Sequence, residues 1–279
     1  MKRTVVGVAL IAGLAQLTAT PAQAAAGTDP AKALQAVWTR GMGVNIVSTA
    51  KVDHGSGVFY TSYVDGTVGF GPQGELASDT SQRLQFSKKA MSGLKKSGMA
   101  EDAALEEMPL QVISSGHDDY VAGPRFAEAL PQDASWVRYP HTDLPASNLL
   151  LEVLEPATLK ALLAHRTSWQ GGVLKGTIKT DKLAKASPSF ASRFSAYAGS
   201  KKPVGTVSYT LRLSSSGLVE RLSAEGVLRS RKGSLRVTSD TRYSAWGRQV
   251  TVLLPLRGDV LDQEQLKDKV PYQVPGAWN

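Results

Sequence analysis

From Thr206 onward, apolar and polar residues alternate along the chain. Val207, Tyr209, Leu211 and Leu213 fall on one face of an extended backbone, and Thr206, Ser208, Thr210 and Arg212 fall on the other. This period of two is what a half-buried strand requires. Ser215-Ser216-Gly217 turns the chain, and Leu218, Leu222 and Leu228 continue on a returning strand. Leu235 and Val237 begin a third strand, and Val250, Val252 and Leu254 form a fourth after a turn at Trp246-Gly247. One buried face and one wet face per strand predict an antiparallel meander.

The earlier chain reads the same way, less regularly. Met42, Val44, Ile46 and Ser48 alternate with Gly43, Asn45 and Val47. Val58 to Val64 is rich in Val, Phe and Tyr and ends at Asp65-Gly66, a hairpin-turn dipeptide, so Val68 to Phe70 is expected to return beside it. Gln111 to Ser115 and Tyr120 to Ala122 flank Gly116-His117-Asp118-Asp119 as a second hairpin. Helices interrupt the strands. Pro156 suits a first helical position, with Leu159, Leu162 and Leu163 marking one face up to His165. Ser187-Pro188-Ser189 reads as a cap and first turn leading into Phe190, Phe194 and Tyr197, which share a face at i, i+4 and i+7. Pro30 to Trp38 forms a third short helix, and the polar stretch from Ser78 to Glu107 reads as mobile or weakly helical.

The first residues change the picture. Lys2 and Arg3 precede an uncharged apolar run from Thr4 to Leu17, and Pro21-Ala22-Gln23-Ala24 follows. Small residues at Ala22 and Ala24 are what a signal peptidase needs, so residues 1–26 are expected to be a removed secretory signal, cut between Ala24 and Ala26. A run of about 14 residues is too short to cross a ~30 Å hydrocarbon core as a helix. The expectation is one domain over residues 27–279, secreted or otherwise extracytoplasmic. The chain has no cysteine. That excludes disulfides, thiol catalysis, thiolate metal sites and anchoring through a lipobox thiol. The formal charge of +8 includes Lys2 and Arg3. What is left after cleavage is a modest positive excess, compatible with peripheral contact with anionic membrane or cell-wall polymer. Nucleic acid is not an expected partner, and a monomer is expected.

Candidate chemistry is sparse. Of His54, His117, His141 and His165, none has metal-ligand spacing; His117 beside Asp118 and Asp119 is the one cluster, and it sits in an expected turn. Ser92-Gly93-Leu94-Lys95 matches Ser-x-x-Lys, but the supporting elements of that enzyme class are missing, and Lys175-Gly176-Thr177 has the wrong order. No nucleophile elbow is present. No enzyme activity, metal or cofactor is expected. Basic pairs and runs at Lys88-Lys89, Lys95-Lys96, Lys201-Lys202 and Arg229-Ser230-Arg231-Lys232 read first as solvated surface. Converging on one face, they would favour an anionic membrane.

The stretch from Pro203 to Pro255 resembles the C-terminal half of the LolA-like superfamily of envelope lipid and lipoprotein carriers, nearest to its LppX and LprG lipoproteins and their actinobacterial relatives. The matching pieces are Val204-Gly205 leading into Tyr209-Thr210-Leu211, the Gly217-Leu218-Val219-Glu220-Arg221 turn, Asp240 to Gly247, and the closing strand Val250 to Pro255. Upstream, Asp119 to Gly123, Ala134 to Arg138, Leu154-Glu155-Pro156 and Gly172 to Thr180 also fit. The resemblance implies an α+β fold: a curved antiparallel β half-barrel with helices packed across its concave face, able to hold an apolar cavity. That branch is typically lipid-anchored, and the missing cysteine argues for a diffusible protein.

Two functions follow as expectations. The first is an extracytoplasmic carrier for a lipid or other hydrophobic ligand, bound by burial of apolar surface alone. Phe190, Phe194, Tyr197, Leu159, Leu162 and Leu163 would form the helical cover, with Leu174, Tyr209 and Leu211 as floor. The second is an envelope sensor or regulator that binds a protein partner, which an exposed apolar patch would favour.

Overall fold

The computed structural model describes residues 29–55, 57–142, 147–198, 204–230, 233–272 and 274. The expected signal segment, Lys201-Lys202 and Arg231-Lys232 lie outside the described residues. One sheet dominates. Its strands are β1 (Met42–Asp53), β2 (Val58–Gly71), β3 (Gly74–Phe86), β4 (Leu110–Ser115), β5 (Asp118–Ala122), β6 (Trp136–Pro140), β7 (Arg166–Gln170), β8 (Val173–Lys179), β9 (Val204–Leu213), β10 (Val219–Ser230), β11 (Gly233–Gln249) and β12 (Val260–Asp262). They lie side by side in the order β12-β6-β5-β4-β3-β2-β1-β11-β10-β9-β8-β7. Neighbours are antiparallel apart from the parallel pair β12–β6 at one edge. The sheet is curved and open, with helices on one face: an α+β half-barrel, as expected.

The helices are α1 (Pro30–Ala36), α2 (Lys88–Lys96), α3 (Ala100–Glu106), α4 (Pro156–Ala164), α5 (Thr180–Ala186), α6 (Pro188–Ala198) and α7 (Gln263–Leu266). Proline stands in the first turn of α1 and α4, where its missing N–H costs nothing. Ser187 caps α6 by accepting the Phe190 N–H at 3.3 Å. The main core lies between α1, α4, α5, α6 and the inward faces of β1, β2 and β8–β11. A second cluster covers the β4–β6 end, where Val112, Val121 and Val137 meet Phe126, Leu266 and Val270.

Four features differ from the sequence expectations. Asp65-Gly66 is not a turn: β2 runs straight through it, with Ile46 and Thr80 opposite Gly66 on the two flanking strands. The glycine is needed for close approach, since a Cβ there would stand 2.1 Å from the Asp79 carbonyl oxygen. Trp246-Gly247 is a bulge inside β11. Gly43 pairs with Arg248 and Asn45 with Ser244, so Ala245, Trp246 and Gly247 oppose Val44 alone, with Ala245 and Gly247 at φ 53° and 74°. Val250 to Pro255 is therefore no closing strand. It is an irregular strap starting on the face opposite the helices, where Val250 rests over Gly43 and Gly69. From β11 to β12 the sheet order counts seven inter-strand spacings, about 34 Å along a flat sheet. The ten residues 250–259 join these two strands and end in a 3-10 turn at Arg257–Asp259. Finally, the stretch 78–107 is strand up to Phe86 and then α2 and α3.

Candidate functional site

The seam between helix layer and sheet is hydrocarbon on both sides. α4 buries Leu159 and Leu162, α5 buries Leu183, and α6 buries Phe190 and Phe194. Beneath them lie Leu174 and Ile178 of β8, Val207, Tyr209 and Leu211 of β9, and Leu222, Ala224 and Leu228 of β10. The rings of Phe190 and Phe194 meet at 4.5 Å between centroids, tilted by 35°. Tyr209 donates its hydroxyl to the Leu162 carbonyl, tying floor to cover. It reaches there because Gly176 opposite it has no side chain; a Cβ would stand 2.2 Å from the Tyr209 oxygen. Burial pushes the Tyr209 hydroxyl up to about 12, so it stays a donor.

The structure brings together seven of the expected ligand-facing residues in one core: Phe190, Phe194, Leu159, Leu162, Leu174, Tyr209 and Leu211. Leu163 packs at its margin, half-buried. The side chain of Tyr197 lies outside the described residues. The seven are packed against one another and closed to solvent, none more than 3% exposed.

Next to this seam lies a polar knot that pattern reading missed. The segment 147–155 dips into the core, burying Leu150, Leu151, Val153 and Leu154. Asn148 pins it to the sheet: its Nδ2 donates to Thr241 at 2.6 Å, and its Oδ1 accepts from the N–H groups of Leu150 and Leu151 and from Ser239. Glu152, 2% exposed, accepts from the Ser147 hydroxyl and from the Leu154 N–H at 3.0 Å. Tyr243 shares a 3.0 Å contact with that serine hydroxyl. Burial raises the Glu152 carboxyl above the usual range, opposed by its hydrogen bonds to Ser147 and Leu154.

Glu155 performs a second closure. It accepts from Ser187 and Thr158, both at 2.6 Å, and from the Ser189 N–H, so it anchors the start of α6. Arg193, one turn along α6, donates to the Asn148 and Leu149 carbonyls at 2.6 and 2.7 Å. Burial lowers its guanidinium to about 10, against the pull of Glu152 and Glu155. A lone charge in the run Leu149-Leu150-Leu151-Glu152-Val153-Leu154 was the available signal, because a carboxylate among leucines needs buried partners.

The remaining candidates separate. His117 is exposed in the β4–β5 turn, whereas Asp119 points inward and is 1% exposed. Among the described residues, no group of three or more His, Asp or Glu is placed to hold a metal ion. Ser92 and Lys95 are both exposed on α2. An open cleft of about 280 Å³ lies at the hairpin ends, lined by Asp53, Gly55, Val227, Ser234 and Arg236. Its lining is largely polar, and it is not built from the seam residues.

No protein-family model and no curated protein matches the chain. Among solved structures, a hypothetical protein of Chlamydia trachomatis overlaps it at 8% identity and a TM-score of 0.26, over 79% of this chain and 96% of that one. A LolA superfamily protein of Nitrosomonas europaea overlaps at 8% identity and 0.26, over 80% and 93%. A DUF1329 family protein of Desulfovibrio piger does so at 11% and 0.28, over 81% and 92%. Overlaps this loose carry no argument about ligand or activity.

Proposed function

We propose that this protein is an extracytoplasmic binding or carrier protein for a lipid or other hydrophobic ligand, held between the sheet and the helices α4–α6. The supporting observation is the seam: an apolar helical cover on an apolar concave floor. Parting the two layers would expose a continuous hydrocarbon cleft floored by Leu174, Tyr209 and Leu211. A ligand entering there replaces contacts between cover and floor with its own, so each apolar surface stays out of water at about 25 cal/mol per Å². Affinity then reflects the difference between the two packings, and no bond is made or broken. The reading includes a removed leader over residues 1–26, a single domain over residues 27–279, and a monomer outside the cytoplasmic membrane. Among the described residues, no helix is long and apolar enough to cross a membrane. The lysines of α2, Lys88, Lys89, Lys95 and Lys96, are exposed and would face an anionic surface.

Native mass spectrometry of the purified protein, with organic extraction of anything bound, tests this. A reproducible lipid-sized adduct that disappears in Phe194→Asp supports the carrier. A clean apo mass with no uptake of added lipids sinks it.

One observation favours the second reading, an envelope regulator that binds a protein partner. The strap carries Leu253, Leu254 and Leu256 at 75%, 49% and 73% exposure. Three open leucines on one short segment are unusual for a surface that meets only water.

A further inference from the structure

The inward face of the sheet is not apolar throughout. Ser78 on β3, Ser114 on β4, Asp119 on β5 and Tyr139 on β6 are directly opposite one another in the ladder, forming one cross-strand row. The adjoining row is hydrocarbon: Val112, Val121 and Val137. Ser78, Asp119 and Tyr139 are 1%, 1% and 2% exposed. Among the described residues, the Ser78 Oγ and the Tyr139 hydroxyl have no hydrogen-bond partner. A buried hydroxyl without a partner is rare in a folded protein, because it has given up its water for nothing. Here two of them share a row with a carboxylate.

Glu75 follows the β2–β3 turn and stands opposite Phe70. It is exposed, and its carboxyl feels the charges of Glu152, Asp119 and Glu155. Glu155 anchors α6 and Glu152 belongs to the knot beside the seam, so Glu75 feels carboxylates of both the row and the seam's border. Arg125, whose charge acts on the Tyr139 hydroxyl, is already paired with Glu106.

We propose that the Ser78–Ser114–Asp119–Tyr139 row binds the polar end of the hydrophobic ligand, and that this end is a protonated amine. The chemistry follows from the partners. Carboxylates only accept hydrogen bonds, and the two unpartnered hydroxyls can accept or donate. An ammonium brings three donors and a charge opposite to that of the Asp119 carboxylate, whereas a carboxylate or phosphate head would be repelled. This inference rests on the carrier reading.

Isothermal titration of the purified protein at pH 7 with dodecylammonium, dodecanol and dodecanoate separates the two ideas. Dodecylammonium is expected to bind about tenfold tighter than dodecanol, the scale of one charge-assisted hydrogen bond, with dodecanoate weakest. In Asp119→Asn the gap between dodecylammonium and dodecanol should close while dodecanol binds about as before. Tyr139→Phe keeps the ring volume, should weaken dodecylammonium and dodecanol together, and serves if Asp119→Asn does not fold. Equal binding of all three probes overturns the head-group site and leaves the carrier standing. A preference that survives in folded Asp119→Asn, or undiminished binding of both in Tyr139→Phe, also overturns it, by placing the head group elsewhere. No binding of any probe removes the carrier reading and this inference together.

Discussion

Phe194 decides whether the core is filled. It is fully buried, its ring lies 4.5 Å from that of Phe190, and it sits in the cluster with Leu159, Leu162 and Leu211. Phe194→Ala removes six heavy atoms from a packed site whose walls belong to a sheet and to a neighbouring helix, so collapse into the gap is limited. Buried Phe→Ala changes of this kind cost about 3–5 kcal/mol, including the lost aromatic pair. With a urea dependence of about 3 kcal/mol per molar for a chain of this size, the unfolding midpoint should fall by about 1–1.7 M. Urea titration followed by circular dichroism reads this directly. Leu163→Ala, at the half-buried margin, is the control and should cost about 1–2 kcal/mol. A midpoint shift below about 0.5 M for Phe194→Ala would refute the reasoning, because the ring would then already border open space. Unliganded protein with such a small loss would hold a preformed cavity.

Other expectations follow from the polar groups and the sheet. Desolvation by the protein around it and the charges of Glu152, Asp119 and Glu155 push the Glu75 carboxyl up to about 8 from 4.5, although part of the residue stays exposed. The folded state therefore keeps a proton that the unfolded chain has lost across this window, and stability falls as pH rises through it. Glu152 acts in the same direction, and Glu75→Gln should flatten the slope of Tm between pH 5 and 8; an unchanged slope would remove Glu75 as its source. Asn148→Ala strips the Thr241 and Ser239 contacts and two backbone donors from one buried hub, and should cost about 3–5 kcal/mol by urea titration. A loss below about 1 kcal/mol would mean that the knot does not hold segment 147–155. Gly66→Ala puts a Cβ 2.1 Å from the Asp79 carbonyl oxygen, whereas at Gly116 nothing lies within 4 Å. Thermal melts should show the first severely destabilised and the second reduced by about 1 kcal/mol, and the reverse ranking would restore the turn at Asp65-Gly66.

Local pattern carried a large part of this fold. Alternation at Val207, Tyr209, Leu211 and Leu213 identifies β9 because side-chain direction in a strand depends only on neighbours in sequence. Pro156 and Ser187 mark helix starts for the same reason, since caps and first turns are built within four residues. The shared face of Phe190 and Phe194, and their place in the core, follow from a helical period. Glycine marks a position without saying why it is there: Gly66 serves a close approach and Gly247 a bulge, yet each reads in sequence as a turn. That distinction depends on the strand alongside, which tertiary structure supplies. The parallel edge β12–β6 and the strap before it have no local signature either, since they exist because the sheet places β11 and β6 far apart. The knot of Asn148, Glu152, Arg193 and Tyr243, and the row of Ser78, Asp119 and Tyr139, go further still. Their members come from separate strands, loops and helices, and a polar residue's environment is set by what folding brings within about 3 Å of it. Sequence determined which faces are apolar; only the tertiary structure decided which buried polar groups meet, because that meeting is a property of distance in space and not along the chain.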